Sequence, residues 1–231
     1  FKIYLWDFLF YDQHLPYTEN LPEGFDLRKL IALYYGMTTW VDDMVGRLME
    51  NLHKNGLADD TIVVFLSDHG DNLGSHHKFN KGLLIEESIR IPMIFHAPDR
   101  WASHVLSGQV SQIIDVMPTL LDTCGIEVPE HVQGRSLAPL LAGERLTLDD
   151  TDAFIETSGG QIGLRTPTHL YGVQLDKDRR VFTDDGDCFF DLAADPYEWR
   201  NLADDRTGRL PQALKERLSV WHEETPKMEV N

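Results

Sequence analysis

The stretch Thr61–Ala97, TIVVFLSDHGDNLGSHHKFNKGLLIEESIRIPMIFHA, decides the architecture. Ile62 to Leu66 is an unbroken apolar run rich in β-branched residues, with no polar alternation. That is the pattern of a strand covered on both faces in a parallel sheet. The run delivers Asp68-His69-Gly70 and then a loop crowded with histidine and lysine. In open α/β sheets, chemistry collects beyond the carboxyl ends of the strands, so Asp68 and His69 stand where ligands are expected.

Upstream, Leu30, Leu33, Met37, Val41, Met44, Leu48 and Leu52 recur at helical spacing, which predicts an amphipathic helix from Leu27 to about Lys54, stopped near Asn55-Gly56. A helix followed by an apolar strand is half of a βαβ unit, whose flanking strands become sheet neighbours or near-neighbours. Phe1 to Phe10 reads as an earlier strand. It runs into Tyr11–Tyr17, a turn closed by Pro16, which puts His14 at a strand end.

Downstream, Glu86–Ile89 leads into Arg90–His96, a third short strand with Pro92 at a tolerated early position. Val110–Cys124 has a helical pattern with a proline inside and Gly125 as its stop. After Gly143 the texture changes. The pieces Ala153–Glu156, Leu170–Gln174, Arg180–Phe182 and Cys188–Asp191 are separated by Gly, Asp and Pro, as in an antiparallel meander, and a helix follows over Leu210–Glu223.

The 231 residues are 42% hydrophobic, enough for one substantial core or a core with a small appended lobe. A formal charge of −17 repels phosphate backbones and anionic membranes, so nucleic acid is not an expected partner. Cys124 and Cys188 lie far apart without a CxxC companion, which excludes a disulfide scaffold. No apolar run approaches the ~20 residues of a membrane span. The chain opens without Met on an apolar run, so a longer protein cut at this point is expected, and the compartment stays open.

On a regular strand Asp68 and His69 would point to opposite faces; a bend is needed for both to reach one ion. An Asp oxygen suits calcium or magnesium, and an imidazole widens the choice to manganese or zinc. Asp-His-Gly is equally the composition of an ordinary turn. Lys81, a point charge with three donors, suits an oxyanion of sulfate or phosphate type, or else is a solvated surface lysine. His14 has the same two faces: a surface histidine, or a donor to an anion and to a leaving oxygen. His76 and His77 either line a pocket mouth or cap a loop.

The run SDHGDNLGSHHKFNKGLLIEESIRIPMIFHAP, from Ser67 to Pro98, resembles the second half of the sulfatase family, within the alkaline phosphatase superfamily. Four further segments resemble the same family in the same order: FYDQHLPY; YYGMTTWVDDMVGRLMENLHKNGLADDTIVVFLSDHG; IIDVMPTLLDTCGIEVPEHVQGRSLAPLLAGE; and CFFDLAADPYEWRNLAD. The resemblance implies that Asp68 and His69 complete a divalent-cation site, calcium first and manganese as the alternative. It makes Lys81 the lysine that grips the sulfate and His14 the histidine that contacts the ester and protonates the leaving alcohol. Many members carry Asn at the second metal position, so His69 points to a subgroup that includes choline sulfatase-like enzymes and phosphonate monoester hydrolases.

The implied activity is metal-dependent hydrolysis of a small-molecule sulfate ester, with phosphonate monoesters or phosphodiesters as the alternative and an inactive remnant as the third case. The family nucleophile is a formylglycine made within Cys/Ser-x-Pro-x-Arg. No such motif occurs in this sequence, and it is expected upstream. The implied fold is α/β: a partial alkaline-phosphatase-like mixed or parallel sheet flanked by helices over 1–145, then over 146–231 a small antiparallel sheet with a terminal helix.

Overall fold

The computed structural model describes residues 24–176, 178, 181–183, 187–203 and 208–225. The expected strand Phe1–Phe10 and His14 lie outside the described residues. The chain forms two compact units, one of residues up to Lys81 with Arg90–Trp101, the other of Gly82–Ile89 with Ala102 onward.

The first unit holds helix α1, Leu27–Lys54. Asp26 caps it, its Oδ1 accepting from the N–H groups of Arg28 and Lys29 at 3.0 and 3.3 Å, which satisfies two otherwise orphaned donors. His53 and Lys54 lie in the last turn, where the helix dipole favours positive charge. Gly56, at φ 67°, turns the chain out of the helix. Leu30 is the buried residue of α1, and much of the predicted stripe, Leu33, Met37, Val41, Met44 and Leu48 included, is exposed among the described residues.

Strand β1, Val63–Leu66, pairs with β2, Met93–His96, with Val63 opposite His96 and Leu66 opposite Met93. This pair is antiparallel, as a mixed sheet allows; the strand expected beside β1 through the helical crossover, Phe1–Phe10, lies outside the described residues. The chain reverses between Leu66 and Met93, and an antiparallel partner needs no helical crossover. Phe65 and Ile94, cross-strand partners, are also exposed among the described residues, so full coverage of the strand is not seen there.

The second unit opens with a single helical turn, α2 (Glu86–Ile89), and later holds α3 (Val116–Thr123) and α4 (Ala138–Leu141). Pro118 sits in the first turn of α3, where a missing N–H leaves no hydrogen bond broken. Just before α3, Asp115 is fully buried and ion-paired to Arg135 at 3.0 Å; its carboxylate also accepts from the backbone N–H groups of Gln112 and Arg135 at 2.9 and 2.8 Å.

Four antiparallel strands follow in sequence order: β3 (Ala153–Glu156), β4 (Gln161–Arg165), β5 (His169–Gln174) and β6 (Cys188–Asp191). Helix α5, Arg209–Glu224, completes the expected antiparallel sheet with a terminal helix. The expected Arg180–Phe182 strand is reduced, among the described residues, to a bridge between Phe182 and Leu175. Strand β4 was not anticipated because QIGLR carries a glycine where a strand signal needs a side chain.

That glycine has a packing reason. Gly163 and Gly172 are cross-strand partners, and a Cβ on either would lie 2.9 or 2.4 Å from Leu84 Cδ1. The bare backbone there is the seat of the Leu84 side chain, which packs on one sheet face with Leu170, Cys188, Phe190 and Leu192. On the other side Ile162, Leu164, Val173 and Phe189 pack with Leu214 and Leu218 of α5. Each such fully buried aliphatic side chain contributes about 2 kcal/mol of transfer free energy. Burial, with Glu198 and Asp187 nearby, pushes the Cys188 thiol up to about 12, so it behaves as a core residue.

Candidate active site

Beyond Leu66 the chain leaves the strand, and short hydrogen bonds fold the next residues onto themselves. Ser67 Oγ donates to the His69 carbonyl at 2.7 Å, and the His69 N–H donates to Asp68 Oδ1 at 2.9 Å. This is the bend that adjacency on a strand required. It turns two side chains that would diverge to one side, with Asp68 Oδ2 3.3 Å from His69 Nε2.

His69 Nδ1 is 2.8 Å from the Gly70 carbonyl. A carbonyl only accepts, so Nδ1 carries the proton and Nε2 presents its lone pair outward. Lys81 Nζ lies 2.6 Å from that Nε2 and donates to it.

Lys81 returns to His69 because the intervening loop is pinned across its base. The N–H of Asn72 donates to the Asn80 carbonyl at 2.9 Å and that of Gly74 to the Lys78 carbonyl at 2.8 Å. The loop is tight enough that Leu73, His76, His77 and Asn80 all adopt positive φ, with Gly74 at φ 97°. Such left-handed backbone is uncommon for non-glycine residues and costs of order 1 kcal/mol or more at each, so the surrounding bonds must hold it. His76 and His77 sit in the single turn Ser75–His77 of this loop, away from the pocket wall.

Asp68 is largely exposed. What burial it has pushes its carboxyl up, but the His69 N–H and the positive charge of Lys81 outweigh this and hold it below the usual carboxylate value. A small open pocket of about 230 Å³ faces the cluster, walled by residues 67–71, by Asn80 and Lys81, and by Tyr34 from α1. No motif or spacing in the sequence singles out Tyr34, which adjoins the Leu30, Leu33 and Met37 stripe.

One carboxylate oxygen and one imidazole nitrogen, oriented by a carbonyl behind the ring, are the donor set of a hard-to-borderline divalent cation. The residues present therefore fit the ion expected from the sequence, supplying two of its ligands. Asp68, His69 and Lys81 come together. His14 lies outside the described residues.

A family model described as Sulfatase matches residues 8–126, and one described as N-sulphoglucosamine sulphohydrolase, C-terminal, matches residues 74–224. The multifunctional alkaline phosphatase superfamily protein PehA of Trinickia caryophylli is 37% identical over 199 residues, covering 80% of this chain and 38% of that protein. An arylsulfatase of Clostridium perfringens is 33% identical over 187 residues, covering 76% of this chain and 36% of that protein. Among solved structures, the phosphonate monoester hydrolase SpPMH from Silicibacter pomeroyi superposes with a TM-score of 0.70 at 27% identity, covering 86% of this chain and 42% of that one. The chain thus spans less than two fifths of the length of these two curated relatives.

Proposed function

Because this chain belongs to the sulfatase family, we propose that it carries one half of the active site of a metal-dependent sulfuric ester hydrolase. The observation that carries this is the cluster in which Asp68 Oδ2 and Lys81 Nζ both approach His69 Nε2, at 3.3 and 2.6 Å. Asp68 and His69 would hold the cation, calcium in the first place and manganese as the alternative. When bound, the cation supplies positive charge against the sulfuryl oxygens, while a formylglycine outside these 231 residues supplies the nucleophile. Residues 1–145 would then form the catalytic part and 146–231 a supporting subdomain.

The work of this chain's own residues follows from their chemistry. The Gly70 carbonyl fixes the His69 tautomer, keeping the Nε2 lone pair available for the cation. Lys81 turns its ammonium from Nε2 to an ester oxygen, neutralising charge that builds there as the S–O bond breaks. His14 is assigned the proton that the leaving alcohol needs. The −17 charge of the chain would repel a sulfate ester, so the local positive charge of Lys81 and the cation must reverse the field inside the pocket.

Phosphonate monoesters are the second substrate class, favoured by the likeness to the Silicibacter pomeroyi enzyme. Both groups are tetrahedral oxyanions, so the same ligands serve both.

The test is calorimetric titration of calcium and of manganese into the 231-residue chain, Asp68→Ala and His69→Ala. At least a tenfold loss of affinity is expected in both variants. Equal affinity in all three proteins would remove these residues from any metal site. A screen of aryl, choline and sugar sulfates against phosphonate esters with the longer protein then separates the two substrate classes.

A further inference from the structure

The wall of the pocket is chemically uneven. Ser67, Asp68, His69, Asn80 and Lys81 are polar, and Tyr34 is the aromatic among the lining residues. Those polar groups suffice for a tetrahedral anion and its cation, and they offer nothing to the organic group that the anion esterifies. Tyr34 lies one helical turn beyond Leu30, the buried residue of α1, and positions four apart share a helix face. Much of α1 is exposed among the described residues, and Tyr34 is the residue of this helix that borders the open volume of the pocket.

An aromatic ring beside a charged site has one strong use, since it offers a large flat apolar face at low conformational cost. The pocket, at about 230 Å³, has room for a tetrahedral anion and one six-membered ring. Resting on the sulfate-ester function above, we propose that the Tyr34 ring packs against the organic group of the ester. Tyr34 is then a specificity-determining residue that favours flat, aromatic alcohol portions over small alkyl ones. The ring does this, and the phenol hydroxyl is dispensable.

The experiment measures dissociation constants of phenyl sulfate and methyl sulfate, in calcium-containing buffer, for the 231-residue chain, Tyr34→Ala, Tyr34→Phe and Lys81→Ala. Circular dichroism checks that α1 is retained. The wild-type chain is expected to prefer phenyl sulfate. Tyr34→Ala should weaken phenyl sulfate binding about five- to tenfold while methyl sulfate changes less than about twofold. Tyr34→Phe should keep the preference, and Lys81→Ala should weaken both esters alike.

An unchanged phenyl-to-methyl ratio in Tyr34→Ala overturns the inference while a Lys81 dependence leaves the anion site standing. A loss in Tyr34→Phe equal to that in Tyr34→Ala also overturns it, since the hydroxyl would then be responsible. If the wild-type chain binds neither ester, or Lys81→Ala binds both as well as wild type does, the proposed function falls and this inference with it.

Discussion

Glu198 gives the chain a built-in dependence of stability on pH. Its residue is 3% exposed, its Oε2 accepts from the Glu86 N–H at 2.8 Å, and its Oε1 is buried with no hydrogen-bond partner among the described residues. Burial pushes the carboxyl from 4.5 up to about 7. The Glu86 N–H and Arg165 oppose the rise, and the charges of Glu86 and Glu87 add to it. Arg165 is largely committed elsewhere, as a two-pronged pair with Glu86 at 3.0 and 3.1 Å. The Cys188 thiol also lies within electrostatic reach.

The folded state keeps a proton on Glu198 that the unfolded chain has already lost between pH 4.5 and about 7. Folding stability from this group therefore falls as pH rises through that window, and the full penalty is present above it. At about 1.4 kcal/mol per pH unit the upper bound is roughly 3 kcal/mol, reduced to roughly 2 because neighbouring groups and water relax around the charge.

Glu198→Gln removes the titration and keeps the shape. The amide oxygen can still accept from the Glu86 N–H, and the amide N–H₂ takes the place of the unsatisfied oxygen among carboxylates. Urea unfolding of wild type and variant, followed by circular dichroism at pH 5, 6, 7 and 8, is the assay. The two should be nearly equal at pH 5, with the variant gaining roughly 2 kcal/mol by pH 8. A difference that stays constant across this range, or a variant less stable than wild type at pH 8, would refute the account.

Three further outcomes are expected. Arg135→Ala leaves the fully buried Asp115 carboxylate without its cation and should cost about 3–5 kcal/mol in chemical denaturation; a loss below about 1 kcal/mol would show that backbone N–H groups suffice. Gly134→Ala would place a Cβ 1.9 Å from the Ile114 carbonyl oxygen, a backbone clash that should cost about 3 kcal/mol or prevent folding, and an unchanged melting temperature would contradict it. The 231-residue chain alone should show negligible turnover of an aryl sulfate even with calcium or manganese supplied, because it contains no Cys/Ser-x-Pro-x-Arg segment; robust metal-dependent turnover would disprove the assignment of the nucleophile to a polypeptide outside it.

Elements whose signal is local were legible in the sequence. Helix α1 runs over Leu27–Lys54 as its spacing predicted, and β3 and β6 have the predicted ends, because periodicity, an Asp cap and flanking turn residues act within a few positions. Strand β4 was not legible, since Gly163 is explained only by a Leu84 side chain that arrives from 79 residues away. The antiparallel pairing of β1 with β2 was equally hidden, because an apolar run states that a strand is buried and not which way its neighbour runs.

The site divides the same way. Sequence alone determined which chemistry is present: a carboxylate and an imidazole at a strand end, a lysine thirteen residues on, and the ordered motifs of the sulfatase family. Tertiary structure alone decided that these groups meet. The bend after Leu66, the His69 tautomer and the pinned left-handed loop that returns Lys81 are each set by hydrogen bonds in which a backbone N–H or carbonyl takes part. It also decided that Tyr34 faces the pocket, because which residues of an apolar stripe border open volume depends on what packs against the helix and not on its period.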